Sequence, residues 1–388
     1  MTLTQQQHTP KMQIPLSQPS INEDDIASVM DVLNSPTLSI GPKLRAFERA
    51  VADYVGVKHG LGVNSGTSGL HLCLAAKGIG LGDEVITSPF SFVASANCIL
   101  YQGATPVFAD IDPDTLALDP ERVAQRVTDK TRAMIPVDVF GQSCLIEDLA
   151  AIARRHDLII VQDACEAIGA ERHGEKVGSP RYADAAVFAF YPNKQVTTGE
   201  GGMVVTDDDE MAAVIDSLRN QGRDDAGTWM NHVRLGYNYR LDEMSAALGL
   251  SQVSRLDAIL AGRDRVAAMY TERLAGVDGI RTPVIVPETT RMSWFVYVIQ
   301  VVEGIDRTAL MAALREDGIP SRPYFVPIHL QPYYRERFGY QPGDFPVTER
   351  VAERTLAIPF YTEMPEEQVD YVCERIAARI PETMRKQS

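Results

Sequence analysis

Apolar runs of four to six residues recur along the first half of the chain, with helix-length segments between most of them, and this alternation limits the folds open to it. The runs are Glu84-Val85-Ile86-Thr87, Pro106-Val107-Phe108-Ala109-Asp110, Ala133-Met134-Ile135-Pro136-Val137, Leu158-Ile159-Ile160-Val161, Ala185-Ala186-Val187-Phe188-Ala189-Phe190 and Met203-Val204-Val205-Thr206. They are too short for buried helices, and they read as buried strands. Strand and helix in alternation argue for a parallel α/β sheet with helices on both faces. Ligands of such sheets bind beyond the C-terminal ends of the strands. Asp163 falls at one such end, just after 158–161.

Helical segments are expected at 22–34, capped by Asn22, and at 43–55, where Leu44, Phe47, Val51 and Tyr54 share a face. Others are expected at 145–156 and 209–219, with one long helix over 242–269. Further on the chain changes character. A strand at 295–302 is followed by helices at 307–317, 350–356 and 366–380, which suggests a smaller α+β domain over 256–388. The large domain then covers 13–255, and the polar start, 1–12, reads as a mobile tail.

The last two apolar runs enclose Tyr191-Pro192-Asn193-Lys194-Gln195-Val196-Thr197-Thr198-Gly199-Glu200-Gly201-Gly202. Glycine lets a backbone approach a ligand closely. A lysine held in such a loop and partly stripped of water has its pKa lowered from about 10.4. Its amine can then attack an aldehyde and form a Schiff base. Earlier, Asn64-Ser65-Gly66-Thr67-Ser68-Gly69 feeds a helix expected to start near Ser68. Free N–H groups at a helix start, with hydroxyls beside them, make a phosphate cradle. The P-loop ending G-K-[ST] is absent, and so is G-x-G-x-x-G.

A formal charge of -15 argues against a nucleic-acid binder driven by counterion release, and leaves room for a local basic pocket. The five cysteines are odd in number, widely spaced and without C-x-x-C, which argues against zinc and against a disulfide framework. Free thiols point to a reducing, cytoplasmic setting. No apolar run approaches the length of a membrane span.

Taken singly, each residue has a plain structural reading: Asp163 as a strand-end cap, Phe92 as core, Lys194 as an exposed loop residue. Taken in order they form a set, with the cradle at 65–68, the aromatic loop of Phe90 and Phe92, the carboxylate of Asp163 and the amine of Lys194. Pyridoxal 5'-phosphate needs such a set. Its phosphate needs N–H donors, its ring a flat face, its pyridinium nitrogen a carboxylate and its aldehyde an amine.

The same stretches resemble the DegT/DnrJ/EryC1/StrS sugar aminotransferases. The resemblance is carried by 41–48, 64–72, 91–97, Asp163-Ala164-Cys165-Glu166-Ala167-Ile168-Gly169, 190–203, Gly236-Tyr237-Asn238-Tyr239-Arg240, Arg322-Pro323 and Pro327-Ile328-His329, and runs over about 13–380. It implies the aspartate aminotransferase-like fold (fold type I), with a large, mostly parallel-sheet domain and a smaller α+β domain. It also implies that Lys194 forms the Schiff base and moves the proton, and that Asp163 pairs with the pyridinium nitrogen. Gly66, Thr67 and Ser68 would cradle the phosphate, and Phe92 would stack on the ring. Glu166 stands near the phenolic oxygen where the family often has Gln or His, and a carboxylate there is repulsive unless protonated or turned away. Asn238 would reach the phosphate of the neighbouring subunit's cofactor, which implies a homodimer with shared sites. Tyr191, Arg240, Arg322 and His329 are the substrate candidates. One departure is Ala189, where the family often has a serine that meets the phosphate.

The reaction so implied passes an amine from L-glutamate, through pyridoxamine 5'-phosphate, to a nucleotide-linked 4-keto-6-deoxy or 3-keto sugar. The product is an amino sugar for a polysaccharide, glycan or antibiotic, and 2-oxoglutarate is released. Alternatives within this resemblance are a keto-cyclitol substrate, a sugar dehydratase and a non-catalytic regulatory paralogue. The dehydratases carry His in place of the lysine, so Lys194 favours transamination.

Overall fold

The computed structural model describes residues 12–224 and 231–384, so the tail expected over 1–12 lies, apart from Met12, outside the described residues, as does 225–230 of the loop after Arg219. The chain opens with α1 (Glu23–Leu33), whose start is a capping box. The Asn22 side chain accepts the Asp25 N–H, and the Asp25 carboxylate accepts the Asn22 N–H. Then follow α2 (Pro42–Val55), β1 (His59–Val63), α3 (Gly66–Ala76), β2 (Glu84–Thr87), α4 (Ala94–Tyr101), β3 (Thr105–Phe108), α5 (Pro120–Ala124), β4 (Thr131–Ile135), α6 (Ile146–His156) and β5 (Ile159–Asp163). Two short strands, β6 (Glu171–Arg172) and β7 (Glu175–Lys176), precede β8 (Ala185–Ala189), β9 (Gly202–Thr206), α7 (Asp209–Arg219), α8 (Glu243–Ser254) and α9 (Leu256–Leu274). The chain ends with β10 (Ile280–Arg281), β11 (Thr289–Arg291), β12 (Tyr297–Val301), α10 (Arg307–Glu316), α11 (Pro332–Phe338), α12 (Pro346–Arg354), β13 (Thr355–Ile358) and α13 (Glu366–Arg379).

Seven strands form the central sheet in the order β1-β9-β8-β5-β4-β2-β3. The pairs β8–β5, β5–β4, β4–β2 and β2–β3 are parallel, and only β9 runs against its neighbours β8 and β1. The expected parallel α/β sheet is present, with β9, the strand after the lysine loop, as its one antiparallel member. Its apolar strands are buried on both faces, as a helix-covered parallel sheet requires. Farther along, β10, β12 and β13 make a separate three-stranded sheet. Ile14, Val266, Tyr270, Tyr297, Ile299, Leu356 and Ile376 are part of one apolar core there. The helix α9 joins the two regions. Its first turns put Leu256 and Leu260 into the core of the large sheet, and its later turns put Val266, Ala267, Tyr270 and Leu274 into the other.

Two expectations are corrected. The single helix over 242–269 is two helices, broken at Arg255. The Arg255 guanidinium turns away to the Asp25 carboxylate, 2.6 Å, at the start of α1. No Gly or Pro marks the break, and the apolar spacing Val253, Leu256, Leu260 runs through it. Helix at 350–356 is also wrong in part, because α12 stops at Arg354 and Thr355–Ile358 is a fully buried strand paired with β12. The apolar residues Val351, Ala352 and Leu356 have helical spacing, so pattern alone carries the helix too far.

The edge strand β1 leads into the cradle, and a buried ion pair fixes it. The Arg219 guanidinium donates to the Gly62 carbonyl at 2.6 Å and pairs with Glu48 and Asp216, while the Glu48 carboxylate accepts the Gly62 N–H at 3.0 Å. Arg219 therefore serves the scaffold rather than a substrate anion. A buried pair of this kind gives little net stability against an apolar replacement, yet losing one partner strands the other charge.

Candidate active site

Three strand ends meet at one edge of the sheet. The start of α3 follows β1, Asp163 ends β5, and the lysine loop follows β8. The helix begins at Gly66, two residues before the expected Ser68, with Ser65 as its cap. The Ser65 hydroxyl accepts the Ser68 N–H at 3.1 Å. The N–H groups of Gly66 and Thr67, in the first turn, have no partner within the helix. The Ser68 hydroxyl donates to the Asn64 side chain at 2.6 Å, so it stabilises the loop. The cradle thus rests on main-chain donors and on Thr67.

Its closeness to the other strand ends explains two glycines. A Cβ on Gly66 would lie 2.6 Å from Cys165 Sγ and 2.9 Å from Ala189 Cβ. A Cβ on Gly202 would lie 2.7 Å from the Ser65 carbonyl carbon and 2.8 Å from the Gly66 nitrogen. Any side chain at either position pushes the cradle off the lysine hairpin. Ala189 therefore does stand beside the cradle, where a serine would add a hydroxyl donor and alanine adds none.

Asp163 is 5% exposed and tightly held. One of its oxygens accepts the Ser95 hydroxyl at 2.6 Å, and the other accepts the Cys165 N–H at 3.2 Å. Behind it, complete burial pushes the Asp138 carboxyl up to about 7, against bonds from the Cys144 N–H and the Gln162 amide that favour its charge. Of the aromatic loop, Phe90 is fully enclosed and Phe92 is 63% exposed. Phe92 is thus the ring with a face to offer a flat ligand, not a core residue.

Lys194 Nζ lies 3.4 Å from Glu166 Oε1 and 3.7 Å from the centre of the Phe295 ring. Glu166 Oε2 accepts the Phe140 N–H at 3.0 Å. Burial pushes the Glu166 carboxyl above its ordinary range, and the Lys194 charge pulls it back. Next in sequence, the Gln195 amide donates to the Glu166 carbonyl at 2.7 Å and to Ser293 Oγ at 2.8 Å, pinning the lysine loop to two other segments.

Among the remaining candidates, Tyr191 is half exposed beside the lysine loop. Asn238 is exposed on a segment that bridges to Asn220, and its carbonyl meets the Asn64 amide at 3.5 Å, so it borders the cradle loop. Arg240 is partly buried, with its guanidinium 3.3 Å from Asn220 Oδ1. Arg322 is exposed and lies near Tyr324, whose hydroxyl is pushed up to about 12 by burial and by the Glu166 charge. The structure does not place His329 with them. It is fully buried, with Nε2 3.0 Å from the Glu349 carboxylate and its ring edge-on to Phe345 at 4.7 Å. The apolar wall of Ile328 and Phe345 makes it a structural histidine, so a sugar contact by His329 is withdrawn.

The set fits pyridoxal 5'-phosphate. Two unpartnered N–H groups suit a phosphate, the open face of Phe92 suits a ring, the Asp163 carboxylate suits a pyridinium nitrogen, and the Lys194 amine suits an aldehyde. Sequence reasoning missed Ser95, Gln195, Phe295 and the Phe140 N–H. Ser95 and Gln195 sit within the recognised stretches, where their polar side chains were a signal left unused. Phe295 and Phe140 are brought in by the fold from afar and left none.

The sequence model of the "DegT/DnrJ/EryC1/StrS aminotransferase family" matches residues 19–377. The spore coat polysaccharide biosynthesis protein SpsC of Bacillus subtilis is 41% identical over 376 residues, covering 94% of this chain and 96% of its own. GDP-perosamine synthase of Caulobacter vibrioides is 38% identical over 362 residues, covering 92% and 96%. Among solved structures, Spr1654 of Streptococcus pneumoniae in its PLP form superposes with a TM-score of 0.90 at 29% identity, over 96% of this chain and 100% of that one.

Proposed function

We propose that this chain, which belongs to the DegT/DnrJ/EryC1/StrS aminotransferase family, moves an amino group from L-glutamate to a nucleotide-linked keto sugar. It is a pyridoxal-phosphate-dependent aminotransferase with the aspartate aminotransferase-like, type I fold. The observation that carries the reading of the site is the enclosed Lys194 amine, paired with Glu166 at 3.4 Å. When bound there, held by Lys194, Asp163 and the 65–68 cradle, the cofactor would supply an electron sink and a carrier for the amino group.

The roles are those the family resemblance implies, and the geometry supports them. Gly66 and Thr67 hold the phosphate through their N–H groups, in a loop that Ser68 braces. Phe92 would cover the ring, and Glu166 would face the phenolic oxygen. Asp163, fixed by Ser95, keeps the ring nitrogen protonated. Lys194 carries the cofactor and then moves the proton. Tyr191, Arg240 and Arg322 border the approach and take the substrate. The relatives' names support the sugar class, since one is a GDP-perosamine synthase and another serves spore coat polysaccharide biosynthesis.

The working unit in this reading is a homodimer, with Asn238 of the partner subunit at the phosphate. Ile26, Met30 and Leu33 leave an exposed apolar stripe on α1, and Leu235, near Asn238 in the chain, is 89% exposed. Such surfaces favour a protein partner. A large domain over 13–255 and a small one over 256–388 are supported by the seven-stranded sheet and the β10-β12-β13 sheet, while a third sheet, β11-β6-β7, crosses between them. All five cysteines are free thiols, which suits a cytoplasmic enzyme, and no described helix is long and apolar enough to cross a membrane.

The test is acceptor choice. Protein in the pyridoxamine form is offered a nucleotide-linked 4-keto-6-deoxy sugar, a nucleotide-linked 3-keto sugar and a nucleotide-free keto-cyclitol. A nucleotide-linked acceptor is expected to regenerate the Schiff-base absorbance and yield an amino sugar. Turnover with the cyclitol alone would contradict the substrate class and leave the chemistry standing.

A further inference from the structure

A lysine attacks a carbonyl only as the free amine, so its ammonium proton must first go somewhere. The side chains of Lys194 and Glu166 are 12% and 9% exposed, which leaves little water to take it. Among the described residues, Glu166 is the one hydrogen-bonding or ion-pairing partner of Nζ, at 3.4 Å. Nζ also lies 3.7 Å from the centre of the Phe295 ring, which holds a cation but accepts no proton. The Glu166 carboxylate is itself oriented, with Oε2 tied to the Phe140 N–H and Oε1 left for the lysine.

We propose that Glu166 is the proton acceptor for Lys194: Oε1 takes the ammonium proton when the amine engages a carbonyl and returns it when the lysine is released. One N–H bond breaks and one O–H bond forms, and the electron pair stays on Nζ. The pair is neutral overall before and after, and no further reactant is needed. The inference rests on Lys194 being the residue that binds the cofactor.

The surroundings favour this transfer. Burial pushes the Glu166 carboxyl up, and the lysine ammonium is the main charge opposing it. Once that ammonium is neutral, burial and the negative charge of Asp163 both favour a protonated Glu166. The other titratable groups facing it are Cys165 beside Asp163 and Tyr324 from the 320–327 segment, with Arg322 beyond Tyr324. Phe140 offers only its N–H. A carboxylic acid beside the cofactor's phenolic oxygen also removes the repulsion that a carboxylate there would bring.

A proton shared within a pair gives a pH signature. Between the two pKa values of the pair, the fraction in the amine–acid form does not depend on pH. Glu166→Gln keeps the shape and accepts the Phe140 N–H through its amide oxygen, but it takes no proton. With no acceptor beside the amine, the proton must pass to solvent, and that transfer becomes easier as hydroxide rises with pH.

The experiment mixes cofactor-free protein with pyridoxal 5'-phosphate between about pH 6.5 and 8.5 and follows Schiff-base absorbance, a window chosen to lie below the ordinary lysine pKa. Wild type is expected to change rate less than about threefold across that window, and Glu166→Gln about 100-fold. Glu166→Asp restores a flatter profile. Parallel slopes for wild type and Glu166→Gln would overturn the proposal. Lys194→Ala runs alongside, and an unchanged band there would instead remove the assignment of Lys194. A second measurement avoids changing Glu166. In Lys194→Met the carboxyl loses its opposing charge, so infrared difference spectroscopy against wild type at neutral pH is expected to show a new carboxylic-acid C=O band. Asp138 contributes equally to both samples and cancels, and the absence of a new band contradicts the proposal.

Discussion

Lys194→Ala is expected to lower the rate of transamination at least about 10⁴-fold, the upper range for loss of a positioned proton-transfer group. Two functions leave with one side chain, since in the proposed reading the same amine binds the cofactor and moves the proton. The scaffold should survive, because the loop keeps its hold through Gln195, whose amide reaches the Glu166 carbonyl and Ser293. The variant strands Glu166 without its cation, and the raised carboxyl answers by taking a proton. Single-turnover assays with saturating cofactor, alongside circular dichroism, measure the loss. Retention of more than about a hundredth of wild-type activity would argue that Lys194 is not the proton-moving group.

Asp163→Asn is expected to lower the first half-reaction by about 10- to 10³-fold. An opposite charge at contact range shifts a pKa by about 1–3 units, and each unit is worth about 1.4 kcal/mol. The substitution removes that charge from the ring nitrogen while keeping the size of the side chain. Asparagine also presents an amide group where Asp163 offers two acceptors. It cannot satisfy the Ser95 hydroxyl, the Cys165 N–H and the ring N–H together. Rapid mixing with L-glutamate reads the rate, and a cofactor titration separates weak binding from slow chemistry. A loss confined to binding would show that Asp163 holds the ring but does not tune it.

Much of this site was legible in the sequence because its parts are local. The cradle, the strand-end carboxylate and the lysine loop each occupy a few consecutive residues with distinct chemistry. The apolar runs 158–161, 185–190 and 203–206 place two of them at strand ends by pattern alone. What stayed hidden depends on distance or on a single geometric event. Phe295 reaches Lys194 from about a hundred residues away, and nothing in its own neighbourhood marks it. The break at Arg255 has no Gly or Pro and is fixed by an ion pair to Asp25, far away in sequence. His329 looked like a pocket residue because its sequence neighbours belong to a recognisable stretch, yet Phe345 and Glu349, at the start of α12, enclose it. Ser68 is a milder case. The type of side chain suits a phosphate, but the hydroxyl is directed to Asn64 by the tight turn that starts α3.

The most direct test of the central claim is an absorbance spectrum of the cofactor-loaded protein before and after L-glutamate, with the nucleotide-linked keto sugar added last. A visible Schiff-base band that bleaches with glutamate and returns with the sugar is the predicted result. It would show both half-reactions passing through Lys194 in one cleft. A band that is present yet indifferent to glutamate and to other amino donors would contradict transamination.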